Sequence, residues 1–421
     1  MIAIDFGTSN SSITVFSKND TEPRLQPVAF GDSDSYDHNV MPSAVCTCKN
    51  SECQAKPEVY GHDAIIHQFD LTHDSTLLQE MKLYFDESTL NAPTFAEKKQ
   101  ITTLREEGGF LTPVSKTYKY PRYAGDVPLK PNEFVPGTAR LIHELIRLNK
   151  SGAEDRQEIV IGVPASFHDT GMRRLREAAK AGAFGEGGSY EGLYLYLEPV
   201  AAARSYMTIG KGNTLVLDYG GGTLDITVMT IGQQDMIDRP KIVISGFPEA
   251  GARMDQAILH YSLSRNAQIK EWYDAQPMQM RLRVKRNVER AKIALSTTDE
   301  ATVELPGSGF DPLRLTTGDL SSALQAIITR MVAKVSQTVT KAVEGIENID
   351  FVVLSGGTSL NRVVQIAVQA MFQHIPIERF VLPDPTKPED VERCLCAVVR
   401  GLAWLRHDGY TPIELPLPQG T

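Results

Sequence analysis

The sequence feature that most constrains the fold is a short motif that occurs twice, with equivalent residues 213 positions apart. In each copy an apolar segment runs into an aspartate, a glycine-containing turn and a second apolar segment. The copies span residues 2–16 and 215–228. A self-similar unit at so long a period predicts two related domains and argues against a solenoid, whose repeats are about 20 to 50 residues long.

The two turns carry the residue types of an anion-binding site. They comprise Gly7, Thr8, Ser9 and Asn10 in the first copy and Gly220, Gly221, Gly222 and Thr223 in the second. Glycines let backbone N–H groups approach an anion closely, and the hydroxyl side chains add donors. Asp5 and Asp218 end the preceding strands, where they could hold a hydrated divalent cation against phosphates. The pattern predicts a two-lobed nucleotide clamp.

Length and charge set further limits. With 421 residues, the chain is long for one hydrophobic core and comfortable for two domains of about 200 residues each. Its net charge is −9, from 43 basic and 52 acidic residues, and no basic cluster stands out. Nucleic acid and anionic membrane are therefore poor candidates for the main partner, because they bind dense Lys/Arg surfaces.

The sequence also bears on location. No apolar run reaches the roughly 18 residues that would cross a bilayer. The chain enters its first strand at Ile2 without the basic n-region or cleavage site of a signal peptide. Five cysteines are an odd number, which fits a reducing compartment better than a disulfide framework. These observations predict a cytoplasmic location.

Three of the cysteines, Cys46, Cys48 and Cys53, lie close together in the sequence. A zinc site needs about four ligands, and the usual CxxC pairs are absent. Residues 43–47 and 59–61 instead predict a β-hairpin with a polar turn between them. Whether the three thiols bind a metal stays open.

Hydrophobic periodicity predicts alternating strands and helices after each copy of the motif. Predicted helices cover residues 135–148, 170–181, 199–206, 253–297, 318–345 and 390–406, the last including Cys394 and Cys396. Predicted strands cover residues 158–163, 193–197, 301–305 and 351–354. This alternation predicts an α/β architecture with two sheets. Residues 70–135 are proline-rich with weak helical periodicity, and they predict a peripheral subdomain.

Several further residues have two interpretations. Glu198 precedes Pro199, and its position favours a carboxylate at the start of a helix over one that orients a water for phosphoryl transfer. The composition around Lys82 does not distinguish it from a surface lysine. The absence of a GxxxxGK[ST] segment excludes a P-loop enzyme.

Two more groups stay ambiguous on spacing alone. Glu289, Lys292 and Ser296 share one face of a predicted helix, where an ion pair worth about 0.3 kcal/mol is the ordinary interpretation. The turn Gly356-Gly357-Thr358 follows a predicted strand, and a strand–helix turn and a nucleotide contact explain it equally well.

Taken together and in order, these motifs resemble the ATPase domain of the DnaK-type heat-shock chaperones, within the actin/hexokinase superfamily. The matching segments are residues 5–10, 163–167, 198–203, 218–223, 289–296 and 355–358. The resemblance spans nearly the whole chain and is strongest to the shorter YegD-like proteins, which lack a substrate-binding domain.

This resemblance implies a two-lobed actin-like ATPase fold of the α/β class, in which each lobe is a mixed β-sheet flanked by helices with a smaller peripheral subdomain. Lobe I would span residues 1–205 with its peripheral subdomain at about 35–135. Lobe II would span residues 206–405 with its peripheral subdomain at about 248–318. Residues 406–421 would form a short C-terminal tail.

The resemblance also assigns roles. The catalytic residues would be Lys82, which stabilises the γ-phosphate charge, Glu198, which positions the attacking water, Asp218 and Thr223. Asp5 and Asp218 would hold hydrated Mg²⁺. The residues that bind ATP or ADP would be Gly7, Thr8, Ser9, Asn10, Gly220, Gly221, Gly222, Thr223, Gly251, Glu289, Lys292, Ser296, Gly356, Gly357 and Thr358.

Three positions depart from the family pattern. The Gly-Gly-Glu-Asp turn is replaced by residues 250–253, the adenine-stacking arginine by Leu360, and an acidic residue near the last helix by Leu395. These changes predict weaker nucleotide affinity or looser base selectivity. Only about 16 residues follow Leu405, so we expect no peptide-binding domain in this chain.

The functional hypothesis is Mg-dependent ATP binding and slow ATP hydrolysis by a chaperone-like nucleotide switch. The hypothesis includes an ATPase activity that is weak or degenerate. Its partners would be the nucleotide and an unknown protein, without nucleic acid or membrane. The alternatives are an actin-like scaffold or filament protein and a small-molecule kinase of the same superfamily. The kinase would need a base aspartate that the sequence does not identify.

Overall fold

The computed structural model describes eighteen stretches of the chain. They are residues 1–7, 10–16, 20–26, 40–43, 45–48, 58–60, 64, 75–78, 82, 99–107, 110–118, 131–148, 157–164, 167–184, 190–206, 212–231, 241–247 and 249–413. Within them, no helix combines the length and apolarity needed to cross a membrane.

The first half of the chain contains eleven described strands and three described helices. The strands are β1 Ile2–Phe6, β2 Asn10–Val15, β3 Arg24–Leu25, β4 Val40–Pro42, β5 Val45–Cys48, β6 Glu58–Tyr60, β7 Ser75–Leu78, β8 Lys99–Glu107, β9 Phe110–Tyr118, β10 Gln157–Val163 and β11 Tyr190–Leu197. The helices are α1 Pro131–Leu148, α2 Asp169–Phe184 and α3 Glu198–Ser205.

The second half contains seven described strands and seven described helices. The strands are β12 Gly212–Tyr219, β13 Leu224–Ile231, β14 Lys241–Phe247, β15 Glu300–Val303, β16 Leu313–Thr316, β17 Phe351–Ser355 and β18 Phe380–Val381. The helices are α4 Gly251–Ser264, α5 Ala267–Asp274, α6 Met278–Ala294, α7 Thr317–Val343, α8 Arg362–Met371, α9 Pro388–Leu395 and α10 Ala397–His407.

Two central sheets have the same strand arrangement, which confirms the α/β, two-lobed actin-like fold. In lobe I the order is β11-β10-β1-β2-β3, with β4 also paired to β2. In lobe II the order is β18-β17-β12-β13-β14. In both, a hairpin (β1–β2 or β12–β13) is flanked on one side by two parallel strands and on the other by an antiparallel strand.

The buried apolar side chains of the described residues form three clusters. In lobe I, Ile4 and Ile161 of the sheet pack with Leu141 of α1 and Leu175 of α2. The lobe II cluster joins its sheet to α4, α6, α7 and α8. A third cluster includes Ala3, Val160, Val216 and Val353 from the two sheets and connects the lobes.

The helices α3 and α10 build this third cluster. Helix α3 packs on β12 and β13 of lobe II, whereas α10 packs on β1, β2 and β10 of lobe I. The two helices cross closely at Gly401, where an added Cβ would lie 1.7 Å from the carbonyl oxygen of Ala201. Only glycine permits this approach. The proposed boundary at residue 205 stays a prediction. Helix α3, which precedes it, also packs on lobe II, and α10, near the C-terminus, packs on lobe I.

The sequence-based elements agree with the structure in kind, and they differ in their ends. The helix predicted over residues 253–297 is divided into α4, α5 and α6, because Asn266 caps α5 and Pro277 precedes α6. The last predicted helix is divided at Cys396, so Cys394 is helical but Cys396 is a cap residue. The paired strands β8 and β9 were not predicted.

The hairpin predicted around the N-terminal cysteines is confirmed by the antiparallel pairing of β5 with β6. Cys46 and Cys48 lie on β5. Cys53 lies outside the described residues, so metal binding by the three thiols stays untested.

Candidate functional site

The first motif forms a tight turn between β1 and β2. Asp5 lies opposite Ser12 in the antiparallel register, one residue before the end of β1. An added Cβ at Gly7 would lie 2.0 Å from the carbonyl oxygen of Asn10, so the turn closes only with glycine at this position. Asn10 is exposed at the start of β2, and Thr8 and Ser9 lie outside the described residues.

The second motif forms the equivalent turn between β12 and β13. The N–H of Gly220 donates to the carbonyl of Thr223 at 3.0 Å, which closes the turn. Asp218 is buried and lies opposite Asp225, a second buried carboxylate. The Thr223 hydroxyl donates to Asp225 Oδ2 at 3.1 Å. Gly222 is buried in the turn.

Asp225 was not among the predicted site residues. A sequence signal for it existed, because Asp225 is the single charged residue of strand β13, whose other members are apolar residues and two threonines. The cross-strand partner of Asp5 in the first hairpin is a serine, so only lobe II carries this second acid.

Lys82 and Glu198 form a buried ion pair between distant parts of the chain. Glu198 begins α3 directly after β11, with Pro199 next in the helix. Gly162 of β10 makes room for the carboxylate, since an added Cβ there would lie 2.7 Å from Glu198 Cγ. Composition did not distinguish Lys82 from a surface lysine, and the structure shows that its side chain is only 6% exposed.

Electrostatics place these groups in one cluster. Burial raises the pKa of Asp5 to about 8, with Lys82 lowering it and Glu198 and Asp218 raising it. Burial, followed by the charges of Asp225 and Glu198, raises the pKa of Asp218 to about 7. Burial alone would lower the pKa of Lys82, but the surrounding carboxylates raise it above its usual value. The carboxyl groups of this cluster outnumber its one lysine, so their negative charge is only partly neutralised.

A third strand end packs against the lobe II turn. Gly356 follows β17 with φ of 81°, and an added Cβ would lie 2.6 Å from the Tyr219 carbonyl and 2.9 Å from Asp218 Oδ1. The Thr358 hydroxyl donates to the Gly220 carbonyl at 2.7 Å. The sequence left this turn ambiguous, and the structure brings it to the site.

The start of α4 contacts the same turn through its backbone. The N–H of Gly251 donates to the Gly220 carbonyl at 3.2 Å, and the N–H of Ala252 donates to the Gly221 carbonyl at 2.7 Å. These bonds satisfy N–H groups that a helix start leaves without intrahelical partners. They also fix the orientation of both peptide groups in the turn.

Helix α6 reaches the site through Lys292. Its ammonium group lies 2.7 Å from Asp255 Oδ1 and donates to the Gly251 carbonyl at 3.3 Å. Asp255 is a buried residue of α4 that the sequence did not single out, and burial raises its pKa to about 6. Glu289 pairs with Arg286, and Ser296 is buried just beyond the end of α6.

Two of the three departures from the family pattern, Leu360 and Leu395, lie next to the third strand end. Leu395 packs on the Gly356–Gly357 turn, where an added Cβ on Gly357 would lie 3.1 Å from Leu395 Cδ2. Cys394 exchanges hydrogen bonds with Gly356: its thiol donates to the Gly356 carbonyl at 3.1 Å, and its own carbonyl accepts the Gly356 N–H at 3.0 Å. Leu360 is half-buried at the end of this turn.

The acidic cluster suits a hydrated divalent cation. Among the described residues, no three His, Cys, Asp or Glu side chains converge as direct metal ligands. Mg²⁺ keeps several waters and binds through one or two carboxylates together with substrate phosphates. The raised pKa values of Asp5 and Asp218 show a place where added positive charge would be favourable. The donor set therefore fits Mg²⁺.

Comparisons with known proteins agree on one family. The family model described as Hsp70 protein matches residues 132–386, about three fifths of the chain. Similar curated proteins are named Chaperone protein DnaK. The one from Elusimicrobium minutum is 32% identical over 226 residues, covering 50% of this chain and 35% of the relative. One from Thermus thermophilus is 31% identical over 262 residues, covering 59% and 41% respectively.

A third such protein, from Thermoplasma volcanium, is 32% identical over 205 residues, which cover 46% of this chain and 31% of the relative. The chain thus matches about a third to two fifths of the length of these curated relatives.

Proposed function

Because the chain belongs to the Hsp70 protein family, we propose that it binds ATP or ADP with Mg²⁺ between its two lobes and hydrolyses ATP slowly. The observation that carries this proposal is the buried cluster of Asp5, Lys82, Glu198 and Asp218. These side chains come from four separate parts of the chain. They meet where the two glycine turns lie.

The turns would bind the phosphates. In lobe II, the carbonyls of Gly220 and Gly221 accept hydrogen bonds from Thr358, Gly251 and Ala252. Since these bonds fix the peptide planes, the N–H groups of the turn have a set direction before any ligand arrives. Pre-oriented donors lower the cost of stabilising the charge that develops in phosphoryl transfer.

Lys82 would neutralise charge on the terminal phosphate, and Glu198 would accept a hydrogen bond from the attacking water and orient it. Their ion pair satisfies both groups while they are buried. Asp5 and Asp218 would hold Mg²⁺ through its water ligands, with Asp225 adding negative charge behind Asp218. The ion would supply neutralisation of the phosphate charge.

The nucleoside would lie between α6 and the Gly356 turn. Lys292 connects these regions, because it contacts Gly251, which in turn lies against Thr358. Glu289 and Ser296 would contact the ribose and the base. The apolar residues Leu360 and Leu395 near the base side would weaken affinity or loosen base selectivity.

The proposed output is a change in lobe closure that a partner protein senses, as expected of a chaperone-like nucleotide switch. The shared cluster at α3 and α10 provides a physical link, because each helix packs on the sheet of the other half of the chain.

The test is isothermal titration of ATP, ADP and AMP with and without Mg²⁺, together with a phosphate-release assay. We expect Mg-dependent binding of ATP and ADP, weaker binding of AMP, and slow phosphate release. Binding of none of the three would contradict the proposal. Binding without phosphate release would leave a nucleotide-binding protein that is not an ATPase.

A further inference from the structure

A partly buried ion pair lies behind the lobe II turn, outside the acidic cluster. Glu249 lies two residues before α4, and Arg330 lies on the long helix α7. Two guanidinium nitrogens of Arg330 donate to the same oxygen, Glu249 Oε2, at 2.9 and 2.5 Å. The carboxylate is only 5% exposed and the guanidinium side chain 26% exposed.

The backbone beside Glu249 contacts the turn at three points. The buried Tyr219 hydroxyl donates to the Glu249 carbonyl at 3.0 Å, and Tyr219 directly follows Asp218. Gly251 and Ala252 then donate to the carbonyls of Gly220 and Gly221. The segment 249–252 is therefore hydrogen-bonded to the strand end and to the turn that follows it.

The ion pair itself is a poor way to gain stability. Taking two charges out of water costs about as much as their attraction returns, and apolar residues of similar volume often serve better. Breaking such a pair from one side, however, leaves a buried charge that must move or find water. The contact connects the segment to α7 at one defined place.

We propose that Glu249 and Arg330 are positioning residues for the phosphate-binding turn: they hold segment 249–252 in place, and that segment fixes the peptide groups of Gly220 and Gly221. The inference rests on the proposed nucleotide function. The pair reaches the turn through the backbone hydrogen bonds of segment 249–252.

The experiment uses the full chain and the variants Arg330→Met, Arg330→Lys and Glu249→Gln/Arg330→Met. The matched control is Arg314→Met, which breaks the exposed Arg314–Glu300 pair of the same lobe. Hydrogen–deuterium exchange is measured first, in nucleotide-free protein, on peptides that cover residues 218–224 and 249–254. Binding of MgADP is then measured by isothermal titration.

We expect Arg330→Met to accelerate exchange in both peptides and to weaken MgADP binding by about tenfold, the lower end of what loss of an outer-shell partner costs. Arg330→Lys should recover part of both effects because it restores the charge. The double variant should recover part of the stability, since it removes the unpaired acid, but not the affinity.

A purely structural pair would behave differently. Arg330→Met would then lower the unfolding temperature and leave local exchange and affinity at the level of Arg314→Met, which would overturn the proposal. If Arg330→Met does not fold, the double variant and Arg330→Lys carry the same comparison. Wild-type protein that binds no nucleotide would overturn the proposed function, and the exchange experiment would still decide whether the pair positions the turn.

Discussion

Lys82 and Glu198, 116 positions apart in the chain, form an ion pair from which solvent is almost completely excluded. The pair lies beside Asp5, and both members shift the pKa of that carboxyl group. Each charged group thus has a defined position that the other maintains. The relationship makes the two side chains testable as a unit.

Removing the lysine should affect chemistry more than binding. We expect Lys82→Ala to lower ATP turnover by a factor of about 10² to 10³, because a preorganised positive donor on the phosphate is lost. ATP affinity should be retained. Phosphate release and titration of ATP measure the two effects, and Lys270→Ala, in the exposed pair with Asp274, is the control. Unchanged turnover in Lys82→Ala would refute the assignment.

The space that Gly162 leaves should matter for Glu198. Gly162→Ala would place a methyl group 2.7 Å from Glu198 Cγ, so the carboxylate has to move. We expect turnover to fall at least tenfold, because small misplacements at a reacting centre cost about 10²-fold. Gly318→Ala is the matched control, since its nearest atom would be 3.6 Å away. Equal turnover in the two variants would show that Glu198 does not need its present position.

The acidic cluster predicts a pH dependence of stability without metal. Burial raises the pKa of Asp5 to about 8 from its usual 3.8, so the free energy of unfolding should fall as pH rises towards 8. Asp5→Asn removes this loss. In EDTA we expect the variant to exceed wild type by about 1 to 3 kcal/mol at pH 8 and by much less at pH 5.

Urea unfolding at the two pH values measures this difference. With MgADP, wild type should regain stability, whereas Asp5→Asn should regain less. A stability difference that is the same at pH 5 and pH 8 would contradict the pKa assignment.

An ion pair at the junction of the lobes predicts a pH dependence of stability with the opposite sign. Hydrogen bonds from Arg406 of α10 hold the pKa of Glu158 below its usual 4.5. Its stabilising effect is therefore present at neutral pH and is lost as pH falls through the lowered pKa. Glu158→Gln should cost about 1 kcal/mol at pH 7 and progressively less as pH falls below 4.5, as measured by denaturant unfolding.

The Glu300→Gln variant provides the comparison, because its pair with Arg314 is exposed and should show a smaller loss at pH 7. A loss in Glu158→Gln that persists at low pH would mean that packing, and not charge, is what the substitution disturbs.

The elements near the site were predictable where their signals are local. Glycines and hydroxyl residues after an apolar strand identify both turns, and Pro199 identifies the start of α3. The strands β8 and β9 were not predicted, because residues 70–135 show only weak periodicity and the two strands are held by pairing with each other.

The residues whose place in the site no local sequence pattern identifies share one property. Lys82, Asp225 and Asp255 look like ordinary polar residues in their own segments. Each acquires its role from a partner elsewhere, such as Lys292 for Asp255 on a different helix. Burial of a polar side chain is a tertiary property, and no local pattern reports it.

The sequence by itself determined the two hairpin turns, their anion-binding chemistry and the repeated α/β plan, because backbone conformation and apolar periodicity depend on near neighbours. Only the tertiary structure decided that Asp5, Lys82, Glu198 and Asp218 share one buried cluster. The physical reason is that charge and pKa depend on desolvation and on groups brought near by folding. The same holds for Glu249 and Arg330, whose contact exists only after α7 packs on lobe II.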